Sequence, residues 1–119
     1  MSETHSVANL LEAGLRAEGL RQRAIANNVA NMRTPGYRSV DVKFRELLAE
    51  AMDSSGSLDL DELEPELFEP NATPVKSDGN DVSLEVEVGK MVENSLRHKL
   101  YVRLLSKKYS QFELAMSVK

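Results

Sequence analysis

The spacing of apolar residues along residues 82–119 is the strongest constraint on how this chain can fold. Steps of four and three alternate there over more than four heptads. The positions are Leu84, Val88, Met91, Ser95, His98, Val102, Leu105, Tyr109, Phe112 and Met116. This pattern predicts a long α-helix with a coiled-coil seam, which needs a partner helix. Asp81 or Ser83 is expected to cap its first turn.

A second apolar row lies beside this predicted seam and consists of Val92, Leu96, Leu100 and Leu104. One partner helix cannot cover both rows. Exposed apolar patches of this size usually mark interfaces, so the second row predicts that helices of other subunits pack against the same element.

The first arm is predicted to be a helix over about residues 6–31. Its stripe consists of Ala8, Leu11, Leu15, Gln22, Ile25, Val29 and Met32, with Glu18 as a polar interruption. Small residues run beside the stripe and would let another backbone approach closely: Ala13, Gly14, Ala17 and Ala24. Gly14 and Gly19 each cost about 1 kcal/mol of helix propensity relative to Ala. We therefore expect this arm to be poorly ordered without neighbours.

Pro35 and Gly36 are predicted to end the first helix, because a proline disfavours helical geometry in the residue before it. Residues 37–42 are expected to form an extended link, and a short amphipathic helix follows with Phe44, Leu47, Leu48, Ala51 and Met52 on one side. Residues 54–81 are predicted to be an irregular acidic excursion. A short strand or helical turn involving Leu58, Leu60, Leu63, Leu67 and Phe68 could attach it to a neighbour, and residues 78–81 read as a turn.

Together these elements predict a mainly α fold. Its long N- and C-terminal helices pair as an antiparallel coiled coil, with a short middle helix and an irregular acidic loop between them. The predicted segments are 1–34 for the N-terminal helix, 35–53 for the link and short helix, 54–81 for the excursion, and 82–119 for the C-terminal helix.

Charge is divided unevenly along the chain. The net charge of −4 combines an acidic middle, residues 50–81, at −9 with arms of +2 (residues 1–49) and +3 (residues 82–119). The acidic middle is either a solvated loop or a polar contact surface for a basic neighbour.

Composition argues against several classes of function. Without cysteine, disulfides and cysteine metal sites are excluded, and only two histidines are present, His5 and His98. The acidic residues lack the spacing of a calcium loop, and no glycine pattern matches a phosphate site. No serine or threonine has a nearby histidine and acid, and the positive field is too weak for nucleic acid. We expect no enzyme, cofactor, small-molecule substrate, nucleic-acid partner, cleaved signal peptide or membrane insertion.

Three asparagines precede the Pro-Gly break: Asn27, Asn28 and Asn31. Asparagines near a helix end tolerate left-handed geometry, and a buried asparagine on a seam fixes register. We favour a mixture, in which Asn28 or Asn31 makes the bonds between helices.

Residues 26–31 (ANNVAN), followed by residues 34–37 (TPGY), resemble the N-terminal signature of bacterial flagellar rod, hook and hook-associated proteins. Two further stretches narrow the resemblance to the basal-body rod proteins. Residues 37–44 resemble their Tyr…Asp…Phe link, and Asp78-Gly79-Asn80-Asp81-Val82, then Glu87, then Asn94-Ser95-Leu96 resemble the start of their C-terminal helix. Departures are Met32-Arg33, where small or polar residues are usual, and a middle segment that matches no pattern.

The resemblance implies a structural protein whose terminal helices form a rod core domain and stack against neighbouring subunits. It implies a place in the proximal rod of the basal body, which spans the periplasm and transmits torque from motor to hook. Export would use the flagellar type III apparatus, without a cleaved signal peptide. Implied partners are other copies of the chain, other proximal rod proteins, and the junction protein of the MS ring and export gate.

Combining the seams with the resemblance, we predict an assembly interface formed by Leu11, Leu15, Ile25, Asn28, Val29, Asn31, Pro35, Gly36, Tyr37, Phe44, Met91, Asn94, Leu96, Val102, Leu105, Tyr109 and Phe112. The alternative is a free-standing helical hairpin that acts as an adaptor for one partner helix.

Overall fold

The chain folds as an elongated helical hairpin with a small β element at one end. The computed structural model describes residues 2–53 and 63–117, with side chains described for residues 7–50 and 63–117. The elements are α1 (Ser2–Ala30), β1 (Asp41–Lys43), α2 (Arg45–Asp53), β2 (Glu66–Phe68) and α3 (Leu84–Ser117). The molecule measures 67 × 31 × 15 Å.

The two long helices pack against each other and run antiparallel. Asn28, near the end of α1, contacts Glu87 in the first turns of α3, and Glu12 near the start of α1 contacts Tyr109 near the end of α3. This confirms the predicted mainly α fold with paired terminal helices. None of the helices in the described ranges has the length and apolar character that crossing a bilayer requires.

The two strands form a short antiparallel ribbon in which Val42 lies opposite Leu67. Of the two forms expected for the middle segment, the strand is the one observed, at residues 66–68. Leu58 and Leu60 lie outside the described residues.

The apolar core lies between α1 and the segment that contains β1 and α2. Small side chains of α1 pack there against Val42 and Phe44, and the buried members are Ala13, Ala17, Ala24, Val42 and Phe44. Leu20, Val40, Leu48 and Leu63 cover this cluster. The alanines predicted to permit close approach therefore do so, and β1 is among the segments that pack on them.

The predicted seam of α3 is not the row that faces α1. Leu84, Val88, Met91 and Val102 are exposed, while the two buried residues of α3 are Glu87 and Asn94. The face of α3 that is turned toward α1 contains these two residues and six half-buried ones: Lys90, Arg97, Tyr101, Leu105, Lys108 and Phe112. Only Leu105 and Phe112 belong to both rows. The prediction that the apolar row of α3 faces α1 was wrong, because polar bonds between the two helices, described below, set the rotation of α3.

The start of α3 agrees with one of the two expected caps. The Ser83 hydroxyl accepts from the Val86 N–H at 3.4 Å, whereas the Asp81 carboxylate binds Ser39 and Arg38 instead. Ser83 therefore caps the helix, and Asp81 anchors the link after α1.

Candidate assembly interface

The side chain of Asn28 joins three segments of the chain and has no exposed surface. Its amide nitrogen donates to the Val40 carbonyl at 2.8 Å and to the carboxylate of Glu87. Its oxygen accepts from the Val40 N–H at 2.9 Å and from the Tyr37 hydroxyl at 3.0 Å. An asparagine amide offers two donors and two acceptor positions. All four are used, so Asn28 fixes both the link and α3 against α1.

Glu87 provides the α3 side of this contact and is 1% exposed. Its Oε1 lies 3.8 Å from the Lys90 ammonium, and Oε2 is buried with no hydrogen-bond partner among the described residues. Burial, followed by the negative charges of Glu87 and Asp81, raises the pKa of Tyr37. The phenol therefore stays protonated and donates to Asn28.

The turn before α3 binds the C-terminal end of α1 through Asn80. This buried side chain donates to the carbonyl of Asn31 at 2.9 Å and to that of Thr34 at 2.8 Å. Both carbonyls lie in the turns that follow α1, where they also accept from the Thr34 and Tyr37 N–H groups, so Asn80 gives each of them a second donor. Its own oxygen accepts from the Val82 N–H at 2.8 Å. The Asn80 side chain thus joins the turns after α1 to the residues that lead into α3.

Two glycines allow the turn to approach the Pro-Gly break. Gly36 and Gly79 have φ angles of +78° and +86°, a region that glycine adopts without steric penalty. The Gly36 N–H donates to the Asp78 carbonyl at 2.9 Å. A Cβ on Gly79 would lie 3.3 Å from the Cα of Gly36. The glycines therefore hold two distant parts of the chain in backbone contact.

Asp81 closes the same region from the other side. Its buried carboxylate accepts from the Ser39 N–H at 2.6 Å and from the Arg38 guanidinium at 3.1 Å. Burial acts to raise the pKa of Asp81, but the Ser39 bond and the Arg38 charge outweigh it and lower that pKa. Asp81 is therefore a stable anion that ties the link to the start of α3.

Glu18 forms a second buried polar contact between the long helices. It is 1% exposed, and its Oε1 accepts from Arg97 at 2.8 Å and from Asn94 at 3.2 Å. Arg21 binds its other oxygen. Asn94 also donates to the Glu18 backbone carbonyl at 2.8 Å. Burial opposes the charge of Arg97, but the bonds to Glu18 and Glu93 prevail and raise the pKa of its guanidinium.

Farther along the hairpin, a glycine and an aromatic residue set the distance between the helices. A Cβ on Gly14 would lie 2.7 Å from the Cζ of Tyr101, so the tyrosine ring occupies the space of a missing side chain. Beyond it, the Tyr109 hydroxyl donates to Glu12. That bond, then desolvation and the charge of Glu12, raise the pKa of Tyr109.

Most large apolar side chains of α3 face away from α1. Leu96 and Leu100 are 64% and 55% exposed. At about 100° per residue, the row of Val92, Leu96, Leu100 and Leu104 lies on one side of the α1-facing positions. The row of Leu84, Val88, Met91 and Val102 lies on the other side. The polar contacts with α1 therefore leave one apolar flank free on each side of α3.

The structure divides the predicted interface residues into three groups. Buried are Leu11, Ile25, Asn28, Phe44 and Asn94; half-buried are Leu15, Val29, Asn31, Tyr37, Leu105 and Phe112; exposed are Pro35, Gly36, Met91, Leu96, Val102 and Tyr109. Within one chain, the buried members hold the hairpin together. The exposed members are the ones that a second subunit can reach without opening it.

Among the three asparagines, Asn28 makes the side-chain bond between the helices. It is one of the two residues, Asn28 or Asn31, that were expected to do so. Asn31 uses its side chain locally, donating to the Asn27 carbonyl at 2.8 Å and accepting from Thr34 at 3.1 Å. Its backbone carbonyl is what Asn80 binds.

Sequence reasoning missed Glu18, Glu87, Asn80 and Asp81 as structural centres. The sequence does contain a pattern that indicates Glu87 and Glu18. Glu87, Asn94 and Tyr101 recur every seven residues and form a polar seam parallel to the apolar one. Glu18, the charged residue within the predicted stripe of α1, is the matching position on that helix. A search restricted to apolar periodicity cannot find such a seam.

Comparisons with known proteins agree on one family. A family model described as "Flagella basal body rod protein" matches residues 9–38. Three relatives are named flagellar basal body rod protein FlgB. The one from Bacillus subtilis (strain 168) is 22% identical over 121 residues, covering 94% of this chain and 93% of that protein. The one from Cereibacter sphaeroides is 30% identical over 115 residues, covering 83% and 88%. The one from Buchnera aphidicola is 26% identical over 111 residues, covering 82% and 84%.

Proposed function

Because this chain belongs to the family of flagellar basal body rod protein FlgB, we propose that it self- and hetero-assembles through its terminal helices to build the proximal rod. Family membership places it in the flagellar basal body with a structural role. The proposal adds that its assembled helices transmit torque from motor to hook, and that no catalytic step is involved.

The observation that supports the proposal is the inverted polarity of α3. Glu87, Asn94 and Arg97 face α1, whereas Leu96 and Leu100 face away from it. Fully burying a leucine side chain contributes about 1.5–3 kcal/mol. Because the leucines of α3 are exposed in the single chain, most of the apolar burial of this helix is gained only when another helix covers them.

The placement of the two flanks favours a rod over an adaptor. A single partner helix would cover one flank and leave the other in water. Two neighbours, one on each side, cover both. If each contact joins two different surfaces and the rotation does not close, the array continues as a helical assembly. The exposed members of the predicted interface, including Met91, Leu96 and Val102, would lie in these contacts, and the Pro35–Gly36 break sets where the chain leaves the bundle.

The neighbours that we propose are other copies of this chain, other proximal rod proteins, and the junction protein of the MS ring and export gate. The subunit would reach the periplasm-spanning rod through the flagellar type III apparatus, without a cleaved signal peptide. Membership of the family supports the rod itself, and these partners are part of the proposal.

The sharpest test is Leu96→Asp combined with Leu100→Asp. Both side chains are more than half exposed in the single chain, so the hairpin should keep its helicity by circular dichroism. Covering the same flank in the rod would then bury two carboxylates without partners, which is strongly unfavourable. We expect loss of rods in isolated basal bodies and loss of swimming.

Ser110→Asp is the matched control, because it adds a carboxylate at an exposed position of the same helix but outside both apolar rows. It should leave rods and swimming intact. Normal rods in the double leucine variant would refute the proposed interface. Leu105 and Phe112 are less informative, since they are half-buried on the side that faces α1 and their replacement would also open the hairpin.

A further inference from the structure

Four basic side chains line one recess between the helices and β1. The recess has a volume of about 210 Å³, and its charged residues are Arg21, Arg45, Lys90, Arg97, Asp41 and Glu93. We call it the basic recess. It is formed jointly by α1, β1, α2 and α3, so its shape depends on the folded hairpin.

Three of the four cations in the recess have carboxylate partners. Arg21 and Arg97 both bind the carboxylate of Glu18, which is buried behind them, and Arg97 also lies 3.5 Å from Glu93. Lys90 lies 3.4 Å from Asp41 and 3.8 Å from the buried Glu87. Arg45, exposed at the first position of α2, has no ion pair within the ranges that the structure describes. The lining of the recess thus carries four cations and two carboxylates, and Arg45 is the cation that a carboxylate of a neighbouring subunit can pair with.

The same chain carries a complementary surface elsewhere. Glu64, Glu66 and Glu69 are exposed on and beside β2, and we call them the acidic edge. They belong to the segment, residues 50–81, that carries −9. Within one chain Glu66 lies opposite Lys43 across the ribbon, so β1 stands between the acidic edge and the helical wall of the recess.

We propose that the basic recess of one subunit binds the acidic edge of the next copy of this chain. This inference rests on the proposed rod role and names one of its contacts. Recess against recess and edge against edge both bring like charges together, so the favourable contact joins a recess to an edge. When recess binds edge in this head-to-tail way, one subunit keeps a free edge and the other keeps a free recess. Such a contact continues along a helical array, and charge complementarity fixes its register.

The test is a charge exchange in the full chain. Arg45→Glu reverses the charge of the recess residue that is unpaired in the described part of the chain, and a carboxylate is favourable at a helix N-terminus, so α2 should persist. Glu64→Arg with Glu69→Arg reverses the acidic edge while keeping Glu66 opposite Lys43. Arg23→Glu is the control, because Arg23 is exposed on α1 and does not line the recess.

Self-association is measured by sedimentation equilibrium of the purified chain, at low ionic strength and near 0.15 M, where the Debye length falls to about 8 Å. We expect wild-type chains to associate, and the association to weaken with salt. Each reversal should weaken it by about tenfold, which is the size expected for a charge pair across an interface. Combining the two reversals should restore it to within a few-fold of wild type, and Arg23→Glu should leave it unchanged.

Several results would overturn the inference. These are wild-type chains that do not associate, a combined variant weaker than either single reversal, or an Arg23→Glu effect equal to that of Arg45→Glu. Swimming distinguishes this failure from failure of the rod role. If Leu96→Asp with Leu100→Asp abolishes swimming while both charge reversals swim normally, the rod role stands and the recess contact is wrong. If Arg45→Glu impairs swimming and Glu64→Arg with Glu69→Arg does not, the recess binds a different rod protein and the inference is wrong.

Discussion

Replacing Asn28 with alanine should unfold the junction between the two long helices. The change removes a side chain with four hydrogen bonds: to Glu87, to the Tyr37 hydroxyl, and to both the N–H and the carbonyl of Val40. Since Asn28 is fully buried, water cannot replace these bonds without entering the junction. The partners would stay where they are and lose their hydrogen bonds.

The magnitude follows from the kinds of bond lost. A neutral hydrogen bond contributes a net of about 0.5–1.5 kcal/mol, and one to a charged group about 1.5–3 kcal/mol. The bond to the Glu87 carboxylate is of the second kind. Tyr37 is only half-buried and can turn toward water, and alanine is a better helix former than asparagine by roughly half a kcal/mol. We therefore expect a loss of about 3–5 kcal/mol, against a total of about 5–15 kcal/mol for a typical domain.

The measurement is urea unfolding followed by circular dichroism at a helical wavelength. With a slope of about 1–3 kcal/mol per molar urea, the midpoint should fall by at least about 1 M. Asn27→Ala is the control, because it removes the neighbouring asparagine, which is exposed. Its carbonyl bond from Asn31 is kept. Asn28→Asp keeps the shape and both acceptors but loses both donors and adds a charge beside Glu87, so it should also be destabilised.

A loss below about 1 kcal/mol for Asn28→Ala, or equal losses at positions 27 and 28, would refute the reasoning. Either result would mean that the buried amide is not what joins α1 to α3.

Two further predictions concern packing and pH. Gly14→Ala should lower the melting temperature despite its gain in helix propensity, because its Cβ would lie 2.7 Å from the Tyr101 ring. At Gly19 no described residue lies within 4 Å of the added Cβ, so Gly19→Ala should raise the melting temperature through a gain of up to about 1 kcal/mol in stability. The pKa of Asp81 is lowered in the folded chain. Its carboxylate therefore stabilises the fold at a pH above the ordinary pKa of 3.8, and this stability is lost as the pH falls through the folded pKa. Asp81→Asn should therefore be less stable than the wild type at neutral pH and should lose less stability on acidification, which urea midpoints measured from neutral to acidic pH will show. Equal losses of stability with falling pH in the two proteins would contradict the role of Asp81. A Gly14→Ala variant as stable as Gly19→Ala would contradict the packing prediction.

The class of fold and the order of its elements were predictable from local patterns. Heptad spacing identified α3, and the glycines and alanines of α1 identified a close-packing face. Pro35-Gly36 indicated that α1 stops before residue 35, and the helix ends at Ala30. Gly14 is a good example, because its cost to the helix already implied a neighbour, and Tyr101 proved to be that neighbour. Short-range signals sufficed here since helix periodicity and proline geometry depend on adjacent residues.

The sequence alone therefore determined that two long helices pair, where the first one ends, and that α3 has more apolar surface than one partner can cover. Only the tertiary structure decided which face of α3 meets α1. Apolar burial is non-directional and roughly proportional to area, so it would accept either row. Hydrogen bonds have narrow geometry, and Glu18 with Asn94 and Asn28 with Glu87 satisfy theirs in only one rotation of the helix. That rotation turns the leucines outward, where a neighbouring subunit can cover them.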